Sequence, residues 1–174
     1  RNIVLKRFSY FIVHGNYLKK VLSKTQGIEE DRIGVIPHGV LSFYKEFITK
    51  LVPEEKNTVL FFGRIWSYKG LRYLIEAEPL ITQFIPGLKI VIAGKGEDLK
   101  DYEEMMVHKD KFVIYNQYIS NEKIAELFQQ AAVVVLPYIE ASQSGVIPMA
   151  YSFGKPVVAT TVGSLPEVVE EGIT

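Results

Sequence analysis

There is no cysteine anywhere in the 174 residues. That excludes disulfides, thiolate nucleophiles and zinc–thiolate centres, and it fits a reducing, cytoplasmic setting. Histidine is scarce too. His14, His38 and His108 are scattered without ligand spacing, so no metal site is expected. Neither sign of charge is in excess: Lys+Arg and Asp+Glu number 20 each. No overall field therefore points to nucleic acid as a partner. Long apolar runs are missing as well, and none approaches the roughly 20 residues that cross a bilayer. The opening RNIVLKRFSYFIVHG sets basic residues before an apolar run, but the run is too short for a secretory leader and lacks a small-residue cleavage site. The chain starts without Met and stops in the polar turn EEGIT. It reads as a piece of a longer protein.

What is present is a 48% hydrophobic composition arranged in alternating patterns. Near-continuous β-branched runs occur at 10–14, 33–37, 58–64, 88–94, 111–116, 132–138 and 156–160. Such runs suit parallel strands covered on both faces. Helical periodicity falls between them. The segment 69–84 aligns Leu71, Leu74, Ile75 and Ile81, with a kink expected at Pro79. A weaker polar helix is expected over 98–108. Ser120 is placed to cap a helix whose stripe is Ile124, Leu127, Phe128 and Ala131. The stretch 41–57 reads as a connecting loop. Strand–helix alternation predicts an α/β fold with a doubly wound, Rossmann-like parallel sheet and ligands at the carboxyl ends of its strands.

Three strand ends stand out. In FFGRIWSYKG (61–70), Gly63 ends a strand and Arg64 and Lys69 bracket the following turn. Two cations there suit a diphosphate, although read singly they are equally well solvated surface charges. In IAGKGEDL (92–99), Gly94 and Gly96 resemble part of a dinucleotide fingerprint, but Leu99 stands where its third glycine would be. A tight turn is the better reading, and an oxidoreductase is disfavoured. In YIEASQSGVIPMAYSFGKPVVAT (138–160), a polar turn separates a strand from a short helix beginning near Ser144 or Gly145. Pro148 is tolerated in such a first turn, and free amides there would attract an anion. Ser144 capping an ordinary helix is the simpler alternative.

Taken in order, these segments resemble the donor-binding, C-terminal half of GT-B glycosyltransferases, family 4 in particular. VIPHGV (35–40) is similar to the family's Ile-Pro-Asn-Gly-Val, with His38 for Asn. FFGRIWSYKG is similar to its Phe-x-Gly-Arg and Lys-Gly, and IAGKGED to the Gly-x-Gly turn that follows. ISNEKIAELFQQAAVVVLPY resembles the approach to the donor site. FGKPVVATTVGSLPEVVEEG resembles Gly-x-Pro-Val-Val and Gly-Gly-x-Pro-Glu, with Ser164 for one Gly. The resemblance covers nearly the whole chain.

It implies that 1–40 is the end of an acceptor domain plus a hinge, and that 41–174 binds a nucleotide-diphosphate sugar. The activity it implies is glycosyl transfer, with retention of configuration, to an acceptor held by an N-terminal domain of the same full-length chain. No cofactor and no divalent ion are implied. Arg64 and Lys69 would neutralise the leaving diphosphate, with Gly63 at the turn and amides of Ser144, Gly145 and Val146 beside them. The backbone near Tyr118 and Ile119 would lie by the base. A peripheral contact of the full-length enzyme with the inner face of the membrane, through RNIVLKR, is a further expectation.

The chain departs from the family at two glutamates. Counting back from Gly154 puts Ala141 and Met149 in their places, with Glu140 one position off the first. A thioether is at best a weak acceptor, so Met149 cannot hold ribose hydroxyls and a dTDP-sugar donor becomes an option. Glu140 or Gln143 would then serve the sugar. The alternatives are a noncatalytic nucleotide-binding module and a GT-B nucleotide-sugar epimerase.

Overall fold

All seven apolar runs form strands, each shorter than its run. The structure, a computed structural model, describes residues 5–173. In chain order the elements are β1 (Phe11–Val13), α1 (Asn16–Gln26), β2 (Ile33–Val35), β3 (Thr58–Phe62), α2 (Leu71–Phe84), β4 (Lys89–Ala93), α3 (Lys100–Met105), β5 (Phe112–Tyr115), α4 (Asn121–Gln130), β6 (Val133–Leu136), α5 (Val146–Ser152) and β7 (Val157–Ala159). Short 3₁₀ turns fill several connections, including Ser42–Phe47 inside the stretch expected to be a plain loop.

Strands β3 to β7 make one parallel sheet in the spatial order β5-β4-β3-β6-β7. The order reverses between β3 and β6, which places a topological switch point at their carboxyl ends. Strands β1 and β2 pair with each other in a separate two-stranded parallel sheet.

The two faces of β3 explain its unbroken hydrophobicity. Side chains alternate across a strand, so Leu60 joins Val91, Val134 and α4 and α5 on one side. Val59 and Phe61 join Ile90, Ile92 and the Leu71–Leu74–Ile75 stripe of α2 on the other. Helix α2 runs through Pro79 to Phe84 without interruption. Ser120 caps α4, its side chain accepting from the Lys123 amide.

Two buried charges find partners that the sequence pattern did not indicate. Glu78, fully buried on α2, accepts hydrogen bonds from Thr82 Oγ1 and His108 Nδ1, at 2.5 and 2.9 Å. Lys155, 8% exposed, pairs with Glu54 at 2.7 Å. An unpaired buried charge is costly, so these contacts tie α2 to the approach of β5 and β7 to the 48–57 loop.

Candidate functional site at the β3 and β6 strand ends

The turn after β3 packs directly on the turn after β6. A Cβ at Gly63 would lie 3.8 Å from the Val146 side chain, and the Ile139 amide donates to the Tyr68 carbonyl at 2.8 Å. Gly70 makes the closest approach. Its φ is +67°, and a Cβ there would fall 1.8 Å from the Pro137 carbonyl oxygen. Only glycine accepts that conformation together with that contact, which is why Lys-Gly closes this turn. Helix α2 then begins at Leu71 rather than at Lys69.

This packing sets Lys69 over Tyr138. The ammonium is 3.7 Å from the Tyr138 ring centre and 5.5 Å from that of Tyr68, within range of a cation–π interaction. Burial, and then the nearby Arg64 guanidinium, push the Lys69 ammonium down from 10.5 to about 8. Arg64 itself is exposed. Among the described residues neither cation has a carboxylate within ion-pair distance. Lys155 shows the usual arrangement for a buried lysine in this fold, with a carboxylate against it. Arg64 and Lys69 are neighbouring like charges with no carboxylate partner among the described residues.

Tyr138 also reaches the second turn. Its hydroxyl shares a hydrogen bond of 3.2 Å with Ser144 Oγ, and Ser144 Oγ accepts from the Val146 amide at 3.3 Å. Tyr138 is 2% exposed. Burial raises its phenol to about 12, against the lowering effect of the Ser144 hydrogen bond, so it stays neutral. The place of Tyr138 under Lys69 depends on the turn-to-turn packing, which no local pattern in the sequence indicates.

The remaining expected residues are distributed as follows. Gly145 is the N-cap of α5, and the Val146 amide, expected to be bare, is occupied by Ser144. Tyr118 and Ile119 line an open groove of about 580 Å³ together with Arg64, Trp66, Gly94 and Gly96. The Gly94–Gly96 pair serves packing: added Cβ atoms would meet the Gly63 and Ile65 carbonyl oxygens at 1.8 and 1.9 Å. Gln143 and Ser144 line a separate cavity of about 270 Å³ with His14 and His38. Glu140 is not brought to that cavity. It is exposed and lines another groove with Tyr17, Tyr68 and Ser142. Met149, 5% exposed, packs in the core on the α5 side of the sheet.

Glu167 caps a helix far away in sequence. Its carboxylate accepts from the Asn16 and Tyr17 amides, each at 2.6 Å, at the start of α1. Desolvation raises its pKa, but the amides of Tyr17 and Asn16 outweigh that and hold it below the usual carboxylate value.

Residues 56–174 match the family model described as glycosyl transferases, group 1. The chain belongs to this family. It is 30% identical over 172 residues to an uncharacterized glycosyltransferase of Methanocaldococcus jannaschii, covering 90% of this chain and 43% of that protein. It is 32% identical over 162 residues to the D-inositol 3-phosphate glycosyltransferase of Pseudarthrobacter chlorophenolicus, covering 85% and 38%. Among solved structures, sucrose-phosphate synthase from Thermosynechococcus elongatus superposes with a TM-score of 0.71 at 22% identity, over 88% of this chain and 41% of that one. The pneumococcal O-GlcNAc transferase in complex with UDP and GlcNAc gives 0.71 at 18%, over 97% and 33%. The group 1 chain thus has the GT-B type of α/β fold and spans less than half the length of these relatives. Among its described residues no helix is long and apolar enough to cross a membrane.

Proposed function

We propose that this group 1 domain binds the diphosphate of a nucleotide-sugar donor and that the full-length enzyme transfers the sugar, with retention, to an acceptor held by an N-terminal domain. The observation that carries this reading is the Arg64–Lys69 pair, without a carboxylate partner among the described residues, at the switch point of the sheet. Two neighbouring cations without a carboxylate are costly in the empty site and favourable once a dianion sits between them. As the glycosidic bond breaks, negative charge grows on the leaving diphosphate. Cations already in place stabilise that charge without rearranging. The turn at Ser144 and Gly145, joined to Lys69 through Tyr138, supports the same reading. The groove beside Tyr118 and Ile119 is open to a base.

Three relatives support glycosyl transfer, one of them with a nucleotide bound, without naming the donor here. The O-GlcNAc transferase is a complex with UDP and GlcNAc, and two curated relatives are glycosyltransferases by name. With Met149 in the core, no side chain at that position faces a ribose, and a dTDP-sugar stays among the candidate donors. We place the enzyme in the cytoplasm, at the inner face of the membrane. The basic opening assigned to that contact lies partly outside the described residues, which begin at 5.

Calorimetric titration of the full-length protein with UDP, GDP and dTDP, and of its Arg64→Ala and Lys69→Ala variants, tests the proposal. Binding that weakens in both variants supports it; equal binding in all three proteins removes the diphosphate assignment. Proton NMR of the product's anomeric position decides retention. Nucleotide binding with neither transfer nor donor hydrolysis would favour a noncatalytic module.

A further inference from the structure

We propose that Glu167 is a positioning residue for transfer: it fixes the β1–α1–β2 unit against the carboxyl edge of the five-stranded sheet and so sets the cleft between them. This rests on the reading of the full-length protein as a transferase, and it assigns a role to a residue outside the Arg64–Lys69 site.

Helix α1 does not hold itself in place. None of its residues is buried, so burial contributes little to where it sits. Its N-cap is Gly15, which has no side-chain oxygen to offer, and its first turn contains no acidic residue. Helix α4 shows the ordinary local solution, with Ser120 as its cap and Ile124, Ala125, Leu127 and Phe128 buried. The first amides of α1 instead find their acceptor 151 and 150 residues away. Glu167 Oε2 accepts from the Asn16 amide and Oε1 from the Tyr17 amide, each at 2.6 Å, and the Asn16 side chain donates to Oε2 at 3.3 Å. Lys20, one turn further along α1, attracts the same carboxylate. Hydrogen bonds to an ionised carboxylate are short and roughly twice as strong as neutral ones.

The chain makes room for this contact. Gly15 has a φ of −169°, an extended conformation that any residue adopts, so the backbone does not require glycine there. Space does. A Cβ at this position would stand 2.7 Å from Ser164 Oγ and 3.2 Å from Glu167 Oε2. A side chain at 15 would therefore push the start of α1 away from residues 164–167 and stretch the bonds to Glu167.

The contact also lies where a displacement would matter. It joins the segment leaving β1 to the segment leaving β7, and so bridges the carboxyl ends of two separate parallel sheets. Ligands of α/β proteins bind beyond such ends. Two openings border the contact. One, of about 270 Å³, has His14 on the α1 side and Ser164 and Leu165 on the other. The second, of about 710 Å³, has Tyr17 and Leu18 on the α1 side and Val162 and Gly163 on the other. With Glu167 in place, the α1 unit keeps its distance and angle to the five-stranded sheet across both openings. Reacting groups tolerate little error in that geometry, since a misplacement of about 1 Å can cost about 100-fold in rate.

The test uses the full-length protein with Glu167→Ala, Glu167→Gln and the double variant Tyr17→Glu/Glu167→Ala. The double variant returns a negative charge to the first turn of α1 without rebuilding the bridge to residue 167. Three quantities are measured: kcat for transfer, the affinities for UDP, GDP and dTDP by calorimetry, and hydrogen exchange at the start of α1. In Glu167→Ala, kcat is expected to fall by about 10- to 100-fold, while nucleotide affinity stays that of the unmodified protein. Glu167→Gln keeps one acceptor oxygen and should retain part of the turnover. The double variant should restore slow exchange in α1 and leave kcat low. That split separates positioning from capping, because a cap that only orders α1 can be replaced locally. Unchanged kcat in Glu167→Ala, or kcat recovered together with slow exchange in the double variant, overturns the proposal. A loss of nucleotide affinity that matches the loss of kcat overturns it too. Nucleotide binding without transfer in the unmodified protein removes the transferase reading and this role with it.

Discussion

The Lys69 ammonium stands 3.7 Å from the centre of the buried Tyr138 ring, while the Tyr138 hydroxyl bonds Ser144 at the start of α5. One side chain therefore touches both turns of the proposed phosphate cradle. It supports the cation through its face and the second turn through its edge. Replacing it separates the two roles. Tyr138→Phe keeps the ring and should cost about 1 kcal/mol in donor binding, the scale of one neutral hydrogen bond. Tyr138→Leu also removes the cation–π support, adding about 1–2 kcal/mol. Equal effects of the two variants on kcat/KM would show that the ring does not support Lys69.

Removing either cation should act on the reaction itself. Arg64→Ala or Lys69→Ala is expected to lose roughly 2–4 kcal/mol of transition-state stabilisation, by comparison with loss of one oxyanion donor. Steady-state kcat for the full-length enzyme is the measurement, and unchanged turnover in both variants would remove their assigned role.

The depressed pKa of Lys69 gives a pH signature. In the ligand-free protein the ammonium titrates near 8 instead of 10.5, so nucleotide affinity should decline as pH rises through about 8. Removing the like charge with Arg64→Met should move that decline to higher pH. Stability changes in the opposite direction. Between about 8 and 10.5 the unfolded chain holds a proton at Lys69 that the folded chain has released, so this group makes the ligand-free protein more stable as pH rises across that window. Parallel calorimetric and denaturant titrations would show whether the two trends diverge.

Gly70→Ala should be poorly tolerated. The residue has φ +67° and a Cβ would collide with the Pro137 carbonyl oxygen. The left-handed conformation alone costs about 1–2 kcal/mol, and the collision adds to it by pushing Lys69 off Tyr138. A midpoint of urea unfolding equal to that of the unmodified protein would contradict this account of the turn.

Glu167→Ala should loosen α1 while sparing the sheet. Its carboxylate is the acceptor for the Asn16 and Tyr17 amides, and losing such a cap costs about 1 kcal/mol. Its pKa is lowered on folding. The contact therefore stabilises the protein above the ordinary carboxylate value and is lost as pH falls through the folded value. Hydrogen exchange should accelerate at the start of α1 and remain slow in β3 and β4.

Strands, helices and the parallel class of the sheet are local or periodic properties, and the order of residues determined them. Unbroken apolar runs need cover on both faces, and Ser120 caps α4 because its oxygen reaches an amide only three residues away. The cations Arg64 and Lys69 and the turn at Ser144 were legible too, as unusual residues at strand ends. The contacts that join them were not. Lys69 lies over Tyr138 because Gly70 lets two turns, some 70 residues apart in sequence, meet at the point where the strand order reverses. Glu167 caps α1 across 150 residues, and Glu78 meets His108 across 30. Pairings of that kind leave no period or spacing in the chain. They arise when burial brings distant polar groups out of water and each must find a partner that the fold, not the neighbouring sequence, supplies.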